Sequence, residues 1–129
     1  MVAAPTTGGK ILIVDDSKAV RDAIRFLVEK QEGFTVCDEA VDGFDAIEKA
    51  QNLKPDLILL DLSMPKLNGA VAASVLKATI PGIRIILFTM YEDAVSMLRP
   101  ALAVDLVLTK PNGLRNLVQS MQEVLGRES

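Results

Sequence analysis

Residues Lys10–Val28 read KILIVDDSKAVRDAIRFLV, and a change of rhythm inside this stretch decides the fold. Ile11-Leu12-Ile13-Val14 is apolar without a break, as a strand covered on both faces tends to be. From Val20 onward the apolar residues instead recur as Val20, Ala23, Ile24, Leu27 and Val28, the spacing of a helix with one buried stripe. Between the two lie Asp15, Asp16 and Ser17. Such residues cap helices well, and they also place carboxylates just beyond the end of a strand. The unit is strand, acidic turn, helix.

The same unit repeats along the chain. Phe34–Glu39 alternates and suits an edge or half-buried strand, whereas Leu57–Leu60 and Ile85–Phe88 are apolar throughout and suit interior ones. A shorter, weaker run lies around Leu106-Val107-Leu108. Helical stripes fall between and after them: Ala46, Ile47 and Ala50; Ala72, Val75, Leu76 and Ile80; and Leu114, Leu117, Val118, Met121 and Leu125. Ala94, Met97, Leu98 and Ala101 have helical spacing too, but Pro100 sits among them and predicts a short or kinked helix. Strands alternating with helices argue for an α/β sandwich around a parallel sheet. Right-handed crossovers then favour a flavodoxin-like (βα)5 arrangement with strand order 2-1-3-4-5. Residues 1–9 read as a flexible lead-in, 10–126 as one domain and 127–129 as a tail, with no room for a second domain.

Composition prunes the chemistry. The chain has 129 residues, no His and one Cys, Cys37. Histidine bases, Ser-His triads and CxxC pairs are therefore excluded, and a reducing cytoplasm is expected. Cys37 reads as a small core residue. A net charge of −3 with no basic run offers no footprint for nucleic acid. No apolar run exceeds four residues, against the roughly 20 a membrane helix needs. Carboxylates, hydroxyls and lysines are left.

In open α/β sheets ligands bind beyond the carboxyl ends of the strands. Asp15 and Asp16 follow the first apolar run, Asp61 the third, Thr89 the fourth, and Lys110 with Pro111 the fifth. Each has an ordinary role when taken singly: a cap, a loop charge, a polar strand end, a solvated lysine. Together they converge on one rim. Clustered carboxylates repel unless positive charge compensates, and an all-oxygen set suits a hard cation such as Mg²⁺. A carboxylate beside a metal, an ammonium and a hydroxyl is equipped to accept a phosphoryl group. Gly69, after Asn68, reads as turn chemistry opening the third helix.

Lys10–Asp16 (KILIVDD), Leu59–Gly69 (LLDLSMPKLNG), Phe88-Thr89 and Thr109-Lys110-Pro111 resemble the receiver domain of bacterial two-component response regulators, with the motifs in order over roughly residues 10–125. The resemblance implies that Asp61 accepts a phosphoryl group from a sensor histidine kinase or a histidine phosphotransfer protein. It implies Mg²⁺ held by Asp16 and Asp61, with Asp15 acting partly through water and the Ser63 backbone carbonyl as a further ligand. Thr89 is then the switch hydroxyl, Lys110 the partner of the phosphoryl group, and Lys110-Pro111 a cis peptide. The implied output is a phosphorylation-controlled surface for an unnamed downstream protein, with no DNA or membrane binding by this chain alone.

Three positions depart from the family pattern. Val107 stands where an aromatic residue is usual, Met90 where a small residue follows the switch hydroxyl, and Ala103 where Gly is common. Tyr91, or the helix containing Pro100, is the expected substitute for the missing ring, and Met90 is expected to narrow access to Asp61. The departures leave open a receiver-like module that binds partners without phosphorylation. A small Mg²⁺-dependent phosphatase using an aspartyl-phosphate is a further alternative. The dehalogenase type of that chemistry, however, needs an Asp two residues after the nucleophile, where Ser63 stands.

Overall fold

A computed structural model describes residues 9–62, 68–89, 104–109 and 115–126. The chain runs β1 (Gly9–Val14), α1 (Lys18–Glu29), β2 (Phe34–Ala40), α2 (Gly43–Leu53), β3 (Leu57–Asp61), α3 (Gly69–Thr79), β4 (Arg84–Thr89), β5 (Leu106–Thr109) and α4 (Leu117–Val124). All neighbouring strands are parallel, in the order β2-β1-β3-β4-β5. This is the expected flavodoxin-like sheet. The expected helix over Ala94–Ala101 lies outside the described residues.

Strand alternation divides the core into two layers. Ile11, Ile13, Leu57, Leu59, Ile86 and Phe88 pack toward Ile24 and Val28 of α1 and Leu117 and Met121 of α4. Leu12, Val14, Ile58, Leu60, Ile85 and Leu87 face Ala46 and Ala50 of α2 and Ala72, Ala73 and Leu76 of α3. Because both faces are covered, the central strands carry polar side chains only toward their two ends, Lys10 and Arg84 at the start and the acidic and hydroxyl residues at the finish. Polar residues are therefore gathered at the rim.

Local chemistry sets where each helix begins. Ser17 caps α1 by accepting from Val20 N at 3.3 Å, Asp42 caps α2 from Asp45 N at 2.8 Å, and Asn68 caps α3 from Val71 N at 3.0 Å. Each satisfies an amide that the first helical turn leaves without a partner. At the far end of α2, Lys54 takes a left-handed conformation (φ 52°) and Pro55 follows it. A helix cannot continue through that pair.

Two expected details change. Ala23 is exposed, so the buried stripe of α1 is narrower than the spacing indicates. A methyl group contributes too little to hold the helix rolled toward it, and Ile24 and Val28 set the orientation instead. Cys37 is half-buried rather than fully buried. It lies where the β1–β2 register slips: Ile11 pairs with Val36 but Leu12 with Asp38, leaving Cys37 as the extra residue of a bulge. Its Sγ donates to Ile11 O at 3.4 Å.

Candidate metal and phosphoryl-acceptor site

Register brings the acidic residues together. Val14 of β1 pairs with Leu60 of β3, so Asp15 and Asp61 follow side by side. Asp61 pairs with Phe88 of β4, and Leu62 N donates to Phe88 O at 2.8 Å. Thr89, the next residue of β4, pairs with Thr109 of β5. Asp15, Asp16 and Asp61 each offer a carboxylate oxygen, and these three atoms lie within 4.8 Å of one another. Asp15 is 2% exposed, Asp61 5% and Thr89 1%, whereas Asp16 is exposed. Two near-buried carboxylates share a site with a third that reaches solvent.

That arrangement fits Mg²⁺. Oxygens bound to one Mg²⁺ at about 2.1 Å can be no more than about 4.2 Å apart. A spread of up to 4.8 Å therefore asks one carboxylate to bind through water or to close in by about half an ångström. Mg²⁺ characteristically keeps several waters. The donor set is oxygen only, as a hard ion requires.

Asp15 is fixed by its surroundings. Its amide donates to Ala40 O at 3.1 Å, carrying the β1–β2 ladder one residue further. Its Oδ1 accepts from Ser17 N at 2.9 Å, and its carbonyl accepts from Arg21 Nη1 at 2.7 Å. Arg21 Nε also donates to Glu39 Oε1 at 2.8 Å, and Arg25 Nε to Glu39 Oε2 at 2.7 Å. Burial alone would raise the Glu39 carboxyl, but the bonds from Arg25 and Arg21 outweigh it and hold that group below the ordinary carboxylate range. Burial pushes the Cys37 thiol up, away from the reactive thiolate.

Asp61 is held by an unusually close helix. Gly69 N donates to Leu62 O at 2.9 Å. A Cβ at Gly69 would run into the Asp61 carbonyl oxygen and would stand 2.8 Å from Leu62 Cα. Gly69 is thus the first residue of α3 pressed onto the end of β3, not a turn residue needing positive φ. The sequence signal was the glycine itself, but the close approach depends on β3 and α3 meeting. Arg21, Glu39 and Arg25 were also missed by sequence reading, since only the folded chain shows their link to Asp15.

Of the expected site residues, Asp15, Asp16 and Asp61 come together and Thr89 stands on the neighbouring strand end. Ser63, Lys110 and Pro111 lie outside the described residues, as do Met90, Tyr91, Pro100 and Ala103. Val107 is half-buried on β5 and packs toward the α2–α3 side of the core.

A family profile described as "Response regulator receiver domain" matches residues 11–122. The response regulator protein VraR of Staphylococcus saprophyticus is 34% identical over 121 residues, covering 93% of this chain and 58% of its own length. The chain thus spans little more than half of that curated relative. A LuxR-family two-component response regulator from Aurantimonas superposes with a TM-score of 0.86 at 29% identity, covering 95% of this chain and 89% of the other. A CheX–CheY–BeF3–Mg²⁺ complex from Borrelia burgdorferi gives a TM-score of 0.78 at 27% identity, covering 90% of this chain and 88% of the other. The Asp15–Asp16–Asp61 triad is a metal-coordinating cluster of the kind Mg²⁺-binding receivers carry, poised for phosphoaspartate chemistry. Fold, rim chemistry and relatives agree, and the chain belongs to the response regulator receiver domains of two-component phosphorelay signalling, a family of signalling modules and not of metabolic enzymes.

Proposed function

We infer that Asp61 is the phosphoryl acceptor and that Asp15, Asp16 and the Ser63 carbonyl complete the metal site around it. The observation that carries this reading is the convergence of three carboxylate oxygens within 4.8 Å, two of them on nearly buried residues. Bound Mg²⁺ would neutralise the charge that builds on the phosphoryl oxygens. An Asp61 carboxylate oxygen attacks phosphorus, the P–N bond of a phosphohistidine breaks, and the imidazole leaves with the bonding pair. Thr89 then donates its hydroxyl to a phosphoryl oxygen, and Lys110 pairs with the new charge.

The phosphohistidine would belong to a sensor kinase or a histidine phosphotransfer protein, in the cytoplasm. Phosphorylation adds roughly −1.5 to −2 charge, and the rim rearranges around it to alter a surface that a downstream protein reads. Val107 packs into the core side and has no ring to swing, so the readout runs through residues 90–103. The test is beryllofluoride, a phosphoryl mimic, titrated with Mg²⁺ while amide resonances are followed. Leu62, Thr89 and the 90–108 region should shift, and Asp61→Asn should abolish the response. Shifts confined to the immediate site would contradict the readout, and no shift in wild type would contradict the acceptor.

A further inference from the structure

We propose that Arg21, held by Glu39, is a positioning residue for the metal site: it fixes the backbone of Asp15 so that its carboxylate meets the ion in one orientation. The proposal rests on the metal reading above and extends it to residues outside the acidic triad.

The guanidinium of Arg21 spans two acceptors. Nη1 reaches the Asp15 carbonyl at 2.7 Å while Nε reaches Glu39 Oε1 at 2.8 Å. A planar, forked donor suits that bridge, and an ammonium does not match its fixed geometry. Glu39 is itself gripped from its other oxygen by Arg25 Nε at 2.7 Å, so the carboxylate cannot turn away from Arg21. The Arg21 side chain is only 13% exposed, and its bonds are little weakened by solvent.

The bulge in β2 sets this up. In a parallel pair, partners share a face. Ile13 faces α1, and its partner is Glu39. Without the extra residue at Cys37, Asp38 would stand opposite Ile13, and Glu39 would turn with Val14 toward α2. The slip between Ile11 and Leu12 therefore aims Glu39 at Arg21 and Arg25. A feature of the edge strand reaches the metal ligand through two side chains.

Charge and geometry predict opposite signs. Arg21 brings a positive charge against the backbone of one metal ligand, so by Coulomb repulsion alone its removal should tighten Mg²⁺ binding. As a positioning residue, its removal should weaken it. Residues that orient a metal ligand typically matter about 10–100-fold in affinity; acting through a backbone carbonyl, Arg21 belongs at the low end, about tenfold.

The experiment is a calorimetric Mg²⁺ titration of wild type, Arg21→Ala, Arg21→Lys and Glu39→Gln, with amide hydrogen exchange on the same samples. Arg21→Ala should bind Mg²⁺ about tenfold more weakly. Arg21→Lys, with the charge kept, should stay weak, and Glu39→Gln should show a smaller loss in the same direction. Ser17 N–H, held by Asp15 Oδ1, should exchange faster in all three, while the central amide of Leu59 is unchanged and certifies the fold. Unchanged or tighter Mg²⁺ binding in Arg21→Ala, or unaltered Ser17 exchange, would overturn the proposal. Failure of wild type to bind Mg²⁺ would instead sink the metal reading before any variant is compared, and Ser17 exchange would still decide whether Arg21 positions Asp15.

Discussion

Asp61 ends a strand whose every residue is buried, and its own exposure is 5%. A carboxylate so placed is costly to bury without compensating partners, and Asp15 and Asp16 bring two more carboxylate oxygens within 4.8 Å of it. The glycine that closes on it is as specific as the acid. Gly69→Ala puts a methyl group against the Asp61 carbonyl and Leu62 Cα, backbone atoms that can yield only by moving. Overpacking of this kind costs about 1–3 kcal/mol. The urea midpoint should fall accordingly, and Mg²⁺ affinity with it, because the displaced backbone is that of Asp61, the proposed acceptor. An unchanged midpoint would mean that α3 shifts freely. Residue types and strand ends were enough to find the triad from sequence. The roles of Gly69 and Arg21 were not visible there, since each depends on a contact between segments that only folding brings together.

At the scale of elements, the apolar runs of β1, β3 and β4 were legible because burial on both faces leaves no room for polar side chains. β2 and β5 are edges, and their half-buried faces gave weaker patterns. The bulge at Cys37 left no local signature, since it is a property of two strands in register. The edge at β5 is tied by Asp105, whose carboxylate accepts from Lys77 Nζ at 2.9 Å and Ile85 N at 2.8 Å. Burial would raise this carboxyl, but the bonds from Lys77 and Ile85 N–H prevail and lower it. Glu39 is lowered in the same way by its arginines. A carboxyl with a depressed native pKa adds stability that is present above its unfolded value, about 4, and is lost as pH falls through the native value. Stability should therefore be flat near neutrality and drop below about pH 4. Asp105→Asn combined with Glu39→Gln should start lower and lose less over that range, as measured by urea unfolding between neutral and acid pH. For Glu39→Gln alone the loss at neutral pH should be about 1.5–3 kcal/mol, the worth of a charge-assisted bond. Parallel pH curves for the wild type and the double variant would contradict the linkage.

For the whole molecule, two apolar layers bury a sheet whose polar chemistry collects at one rim. The fold and the acidic rim are thus coupled. Like charges within 4.8 Å of one another repel by roughly 3.5 kcal/mol or more at an effective dielectric constant of about 20. Mg²⁺ should raise the thermal midpoint, with stabilisation of about 2.7 kcal/mol once its concentration reaches about a hundred times its dissociation constant. Asp61→Asn should be a few degrees more stable than wild type without Mg²⁺ and should lose most of the gain when Mg²⁺ is added; calorimetry with and without chelator checks both. A variant as responsive to Mg²⁺ as wild type would place the ion elsewhere.

On the proposed function, Asp61 takes a phosphoryl group with the help of Mg²⁺. Intact-mass spectrometry after incubation with acetyl phosphate or phosphoramidate tests it most directly, on wild type and Asp61→Asn, with Mg²⁺ and with chelator. One phosphoryl adduct is expected on the wild type, lost with chelator and absent from Asp61→Asn. An adduct that persists in Asp61→Asn, or that forms equally well under chelator, would contradict the proposed function.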